Sequence, residues 1–188
     1  DHQLAGKAVL PLAMTLEWFA QAAARRAPGG QVVQAIEEVR VLRGVTATED
    51  VAIWVGNPEQ TSAGLRLTLE LRNAKDQLQV RAVARIGAPL PASPGISAPA
   101  ALRPYPHTLT AIYSQQLFHG ARLEAIEAID GVGPEGMTLK LRTHPTSERL
   151  LPAPVVRWVT DPLVVDGVFQ ALILWCREQR GAPSLPSR

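Results

Sequence analysis

Two stretches of the chain alternate apolar and polar residues: Leu65-Arg66-Leu67-Thr68-Leu69-Glu70-Leu71, and residues 78–86 (LQVRAVARI). Side chains on a strand point to opposite faces in turn, so this period predicts two antiparallel strands with one buried face. Asn73-Ala74-Lys75-Asp76 between them predicts a hairpin turn. Residues 32–41 and 51–55 have the same strand character. Ahead of these strands, residues 11–27 (PLAMTLEWFAQAAARRA) consist of good helix formers. Pro11 stands at the predicted first helical position, Arg25 and Arg26 suit the negative end of the helix dipole, and Pro28-Gly29-Gly30 stops the helix.

From residue 87 to 104 the pattern disappears into GAPLPASPGISAPAALRP, with prolines at 89, 91, 94, 99 and 104. Such a segment reads as an extended, stiff linker. It divides the chain into an N-terminal unit, 1–88, a linker, 89–104, and a C-terminal unit, 105–188. The second unit has strand-like pieces at 123–129 and 137–143, Pro-rich loops, and a helix from Pro162 to about Arg180, with Asp161 as its N-cap. Both halves therefore combine one long apolar helix with antiparallel strands, an α+β composition. A helix as apolar as 162–176 needs a sheet around it, and the sequence has no strand after it, so the second unit is expected to be partial.

Asp166 and Gln170 interrupt this helix one turn apart on one face, among Leu163, Val164, Val165, Val168, Phe169 and Leu172. Either Asp166 faces solvent or caps a loop, or it is a buried carboxyl that stays protonated near neutral pH, as a general acid must. A second polar constellation opens the chain, where His2, Gly6 and Pro11 form His-x3-Gly-x4-Pro directly ahead of a helix. Taken alone, a histidine beside an aspartate at a terminus reads as solvated. Gly6 permits close backbone approach, however, and the helix start presents unpaired N–H groups able to bind a carbonyl oxygen, which makes His2 a candidate base. His119, in Leu117-Phe118-His119-Gly120, reads as a residue lining a site or as a loop histidine, whereas His107 and His144, close to prolines, read as loop residues. Trp18, Trp54, Trp158 and Trp175 read as core or rim aromatics.

Composition narrows the function classes. With 19 Lys+Arg against 17 Asp+Glu, scattered along the chain, the net charge of +2 gives no basis for a nucleic-acid partner and only slight support for an acidic one. The single cysteine, Cys176, excludes an internal disulfide and suits a reducing compartment such as the cytoplasm. The longest apolar stretch, 162–176, is too short to span a bilayer, and no signal peptide is visible. No His, Asp or Glu grouping has metal-ligand spacing, and there is no phosphate loop or Gly-x-Ser-x-Gly elbow, so neither a metal nor a nucleotide is expected. A content of 46% hydrophobic residues suffices for a packed core. The chain opens on Asp1, without a methionine and already inside the first motif, which reads as an excerpt from a longer polypeptide.

Taken together, these residues resemble the dehydratase domains of polyketide and polyunsaturated fatty acid synthases. Asp1-His2-Gln3-Leu4-Ala5-Gly6-Lys7-Ala8-Val9-Leu10-Pro11 is similar to the family's first motif, Leu117-Phe118-His119-Gly120 to the start of its second, and Asp166-Gly167-Val168-Phe169-Gln170 to its Asp-x3-Gln motif. Leu16-Glu17-Trp18 after the first motif is closest to the polyunsaturated fatty acid type. The family's second motif usually continues Gly-Pro, whereas Ala121 follows Gly120 here. The resemblance implies a double hot-dog fold and removal of water from a β-hydroxyacyl thioester on an acyl carrier protein. In that reading His2 takes the α-proton, Asp166 protonates the leaving hydroxyl, Gly6 binds the thioester carbonyl and Gln170 holds Asp166. Pro11, His119 and Gly120 complete the substrate site. No cofactor is implied beyond the carrier's phosphopantetheine, and the implied setting is a homodimer among other synthase domains. A non-catalytic hot dog serving as scaffold or carrier docking module, and a hot-dog thioesterase or isomerase, are the alternatives.

Overall fold

The structure is a computed structural model that describes residues 2–4, 6–143 and 157–183. Its contacts divide the chain into two compact units. One takes in the described residues of Asp1–Gly6, Pro94–Arg157 and Asp161–Pro186, and the other those of Lys7–Ser93 and Trp158–Thr160. Two-residue strands Gln3–Leu4 (β1) and Lys7–Ala8 (β2) flank a turn at Gly6, whose φ of 76° lies in the left-handed region that glycine favours.

In the second of these units a five-stranded antiparallel sheet is built from Val32–Val41 (β3), Val51–Val55 (β4), Glu59–Thr61 (β5), Gly64–Asn73 (β6) and Leu78–Gly87 (β7). The strands run in the order β3-β7-β6-β4, with β5 also on β6. The predicted alternation is realised in the burial of Leu67, Leu69 and Leu71 on β6 and of Val80, Ala82, Ala84 and Ile86 on β7. Leu67 faces Ala84 and Leu69 faces Ala82 across the strands. Pairing a large with a small residue leaves room for the helix Leu12–Ala24 (α1), whose Phe19 is fully buried in the same cluster. The hairpin falls where predicted, with Asn73 Oδ1 accepting from the N–H groups of Lys75 and Gln77, each at 3.0 Å. Pro11 is the N-cap of α1 rather than its first helical residue, and the helix ends at Ala24, short of the predicted Ala27.

Glu17 lies in α1 and is 0% exposed. Its two carboxylate oxygens accept from Val159 N–H at 2.9 Å, Thr160 N–H at 2.6 Å, Thr160 Oγ1 at 2.7 Å and Gln21 Nε2 at 2.7 Å. A buried carboxylate is tolerable when its lone pairs are occupied in this way.

The first unit contains a three-residue helix, Leu109–Ala111 (α2), continued by a wider turn over Ile112–Gln116. It also contains a hairpin of Ile126–Gly133 (β8) and Gly136–Leu141 (β9), and the helix Pro162–Arg180 (α3). Among the described residues its sheet has these two paired strands. Strand β8 begins after and ends beyond the predicted 123–129, because Leu123 closes a short 3-10 turn over Ala121–Leu123. Helix α3 has the predicted bounds: Asp161 accepts from the N–H groups of Leu163 and Val164 at 3.0 and 3.3 Å, Pro162 opens the helix and Gly181 ends it at φ 68°. Ile173 and Leu174 of α3 pack with Ile112, Leu117 and Ile126. Trp175 ties the helix to the hairpin by donating Nε1–H to the Gly133 carbonyl at 2.9 Å.

Gly167 sets the spacing between α3 and its neighbours. A Cβ there would lie 2.9 Å from Ala125 Cβ and 2.7 Å from Leu141 Cδ2. Gly167→Ala gains about 1 kcal/mol of helix propensity but overpacks the contact at a cost of about 1–3 kcal/mol. The expected outcome is a net loss of stability in urea unfolding, the reverse of an ordinary glycine-to-alanine change inside a helix. No helix among the described residues is long and apolar enough to cross a membrane.

Candidate active site

Asp166 and Gln170 project from one face of α3 and are 2% and 0% exposed, so the buried alternative for Asp166 is the one realised. The Gln170 amide donates through Nε2 to Asp166 Oδ2 at 2.8 Å and to the Leu123 carbonyl at 2.7 Å. Its Oε1 accepts from the Tyr113 hydroxyl at 2.9 Å, and the Tyr113 oxygen accepts from Ile126 N–H at 2.8 Å. Every hydrogen bond in this chain has a defined direction, from the β8 backbone through Tyr113 and Gln170 to Asp166. Burial pushes the Asp166 carboxyl up to about 6, and the Gln170 hydrogen bond moderates that rise. Burial likewise pushes the Tyr113 phenol up to about 12, so it remains a donor.

His119 is brought to the same place by the segment before the 121–123 turn. Its Nε2 lies 3.3 Å from Asp166 Oδ2, and both side chains are almost wholly buried. Burial, followed by the neighbouring His2, holds this imidazole down to about 3, so it is neutral across the physiological range. His119 Nδ1 is buried with no hydrogen-bond partner. Half-buried His2 forms a backbone bridge with His119 and sets its ring edge-on to Phe118 at 5.0 Å and to His119 at 5.1 Å. The Phe118 and His119 rings are stacked at 4.4 Å. One ligating atom from each of His2, His119 and Asp166 falls within 4.8 Å of the others. Imidazole and carboxyl side chains from opposite ends of the chain therefore converge inside one compact unit.

The other expected residues are placed as follows. Gly120 precedes the 3-10 turn, accepts from Leu123 N–H at 2.8 Å, and lines a cavity of about 710 Å³ together with Tyr113, His119, Glu124, Ile126 and Arg142. Gly6 occupies its left-handed turn. Pro11 belongs to the other unit, where its carbonyl accepts from Met14 N–H at 3.1 Å. His107 lies outside helix and strand, its ring 5.6 Å from that of Tyr105. His144 lies outside the described residues.

Tyr113 was not legible in the sequence. It sits in an irregular helical turn, six positions before His119, and no spacing rule joins it to Gln170. Tyr113→Phe removes the donor to Gln170 Oε1 and the acceptor of Ile126 N–H, leaving both buried groups short of a partner at a cost of about 1–3 kcal/mol. The expected result is a less stable domain in which the Asp166 carboxyl titrates at a changed value, read from the Asp166 carboxyl resonance in a pH series.

No protein-family model matches the chain. Helix and antiparallel sheet in each unit are those of an α+β hot-dog protein, and solved structures similar to the chain in fold include dehydratase domains. The dehydratase domain of RzxB from Pseudomonas fluorescens matches 98% of this chain and 68% of its own, with a TM-score of 0.71 and 14% identity. The dehydratase domain of PpsC from Mycobacterium tuberculosis, in complex with C12:1-CoA, matches 94% of this chain and 62% of its own, with a TM-score of 0.61 and 18% identity. In sequence, the chain is 29% identical over 201 residues to a polyunsaturated fatty acid synthase from Thraustochytrium. That match takes in 100% of this chain and 7% of the relative's length. The chain thus has the hot-dog fold of dehydratase domains of polyketide synthases and is similar in sequence to a short segment of a polyunsaturated fatty acid synthase.

Proposed function

We propose that this chain removes water from a β-hydroxyacyl thioester carried on the phosphopantetheine arm of an acyl carrier protein, as one domain of a polyketide or polyunsaturated fatty acid synthase. The observation that carries the reading is the convergence of the His2 and Asp166 side chains within 4.8 Å. His2 takes the α-proton, and the C–H electron pair becomes the α,β double bond. The β C–O bond breaks as Asp166 gives its proton to the departing hydroxyl, which leaves as water. Transfer of the captured proton from His2 to Asp166 resets the pair. A carboxyl raised to about 6 is available as a donor near neutrality, and the His2 ring nitrogen supplies the proton acceptor. The backbone N–H of Gly6 receives the thioester carbonyl, Pro11 starts the helix that follows it in sequence, His119 and Gly120 line the acyl site, and Gln170 orients the acid. The step is redox-neutral and draws on no cofactor of the protein's own. Association as a homodimer in the cytoplasm completes the reading.

The test is incubation of the chain with a β-hydroxyacyl carrier-protein thioester, followed by mass spectrometry for loss of one water. Turnover that falls by about 10²–10⁴-fold in His2→Ala supports the reading. Full activity in His2→Ala sinks it, and so does the absence of turnover in the unsubstituted chain. Release of free acid would identify a thioesterase, and a shifted alkene an isomerase.

A further inference from the structure

We infer that His2, His119 and Asp166 form a site for a zinc-like divalent cation, and that its occupation blocks the acid and the base together. The donor set is two imidazoles and one carboxylate, with one ligating atom of each within 4.8 Å of the others. The closest pair, His119 Nε2 and Asp166 Oδ2, is 3.3 Å apart. Two ligands about 2.1 Å from a tetrahedral zinc ion are roughly 3.3–3.4 Å from one another, so this pair already stands at the spacing the ion requires. All three residues belong to the same compact unit.

The surroundings favour a ready-made site. Gln170 hydrogen-bonds Asp166 Oδ2 and is itself held by Tyr113 and the Leu123 carbonyl, the kind of support that fixes a ligating carboxylate. The buried Nδ1 of His119 has no hydrogen-bond partner, and its Nε2 already faces the carboxylate that would share the ion. Imidazole and carboxylate donors suit zinc, cobalt and similar first-row ions better than magnesium or calcium. Three protein ligands leave a fourth position for water. A bound ion takes the His2 lone pair and occupies the Asp166 oxygen, which removes the proton acceptor and the proton donor in one event. Cation binding follows from the cluster alone, and only the accompanying loss of turnover rests on the dehydratase reading.

The probe is cobalt(II), titrated into the full chain near neutral pH and followed by its visible absorption, with zinc(II) displacing it and magnesium(II) as the control. The expected result is one cobalt per chain with an intense low-symmetry band, lost on adding zinc and untouched by magnesium. His119→Ala and Asp166→Asn should each weaken cobalt binding by about 100-fold or more, by analogy with the 10–100-fold effect of losing even an outer partner. Zinc should abolish turnover of the thioester, and a chelator should restore it. The absence of a stoichiometric band, or a band that survives His119→Ala and Asp166→Asn with folding intact, overturns the cation site and leaves the dehydratase reading standing. Stoichiometric cobalt at this site with unimpaired turnover confirms the site and overturns the assignment of His2 and Asp166 as base and acid.

Discussion

Asp166→Asn is expected to lower turnover by about 10²–10⁴-fold while making the domain more stable above pH 6. The carboxyl is 2% exposed, and burial raises it from 3.8 in the open chain to about 6 in the fold. Because the folded form holds its proton more tightly, stability falls as pH climbs from 3.8 to 6, and the full cost, of order 3 kcal/mol, is present above that range. The amide has nearly the same shape, can still accept from Gln170, and carries no charge to desolvate. His119 works in the opposite sense. Its folded value near 3 lies below the ordinary 6.5, so its contribution is present above 6.5 and drains away as the solution is acidified toward 3. In the unsubstituted protein the two slopes oppose each other. In Asp166→Asn the histidine slope stands alone, so stability should fall more steeply in acid. Urea unfolding of both proteins at pH 4 and pH 8 reads this directly: a gain at pH 8 that vanishes at pH 4 is the expected pattern, and equal differences at both pH values would show that Asp166 is not desolvated in solution.

Glu17→Ala is expected to be the most destabilising single change in the α1 unit, by about 3–5 kcal/mol. The substitution deprives two backbone N–H groups, the Thr160 hydroxyl and the Gln21 amide of their acceptor at a position closed to water. Thr160 immediately precedes Asp161, the cap of the helix that carries Asp166, so local loosening there should also depress turnover. Glu17→Gln keeps one acceptor oxygen but turns an amide donor toward donors, and should fall between the two. Urea midpoints for the three proteins establish the order, and an Ala variant within 1 kcal/mol of the unsubstituted chain would contradict it.

Much of this architecture was legible in the sequence where one physical signal dominates. Period-two alternation located β6 and β7, and β-rich runs gave β3 and β4 with their observed ends. Asp161, Pro162 and the apolar run fixed α3. Strand β5 escaped because Glu59-Gln60-Thr61 is short and polar and owes its form to pairing with β6. Strand β8 runs past the predicted end at 129, through Gly131 and Gly133, because packing rather than strand propensity holds these glycines in the sheet. In the fold these glycines admit the end of the proline-rich segment: a Cβ on Gly131 would lie 2.9 Å from Leu102 Cβ, and one on Gly133 would lie 3.1 Å from the Ala101 carbonyl. Arg103 and Val132 exchange backbone hydrogen bonds at 3.0 and 2.9 Å, so a stretch read entirely as linker ends on the sheet. Of the cluster, His2, His119, Asp166 and Gln170 were visible through their spacing. Tyr113 and Glu17 were not, because each acts through a partner distant in sequence.

The directed chain from Ile126 through Tyr113 and Gln170 bears on how freely a proton moves at Asp166. Gln170 is fastened at its other contacts by the Leu123 carbonyl and the Tyr113 hydroxyl, neither of which depends on the charge of Asp166. Turning the amide over would forfeit both. The dipoles around the carboxyl consequently point the same way before and after a proton leaves, and little reorganisation accompanies the transfer. A group that ionises inside a frozen field of this kind adds little reorganisation to the barrier of its own proton transfer.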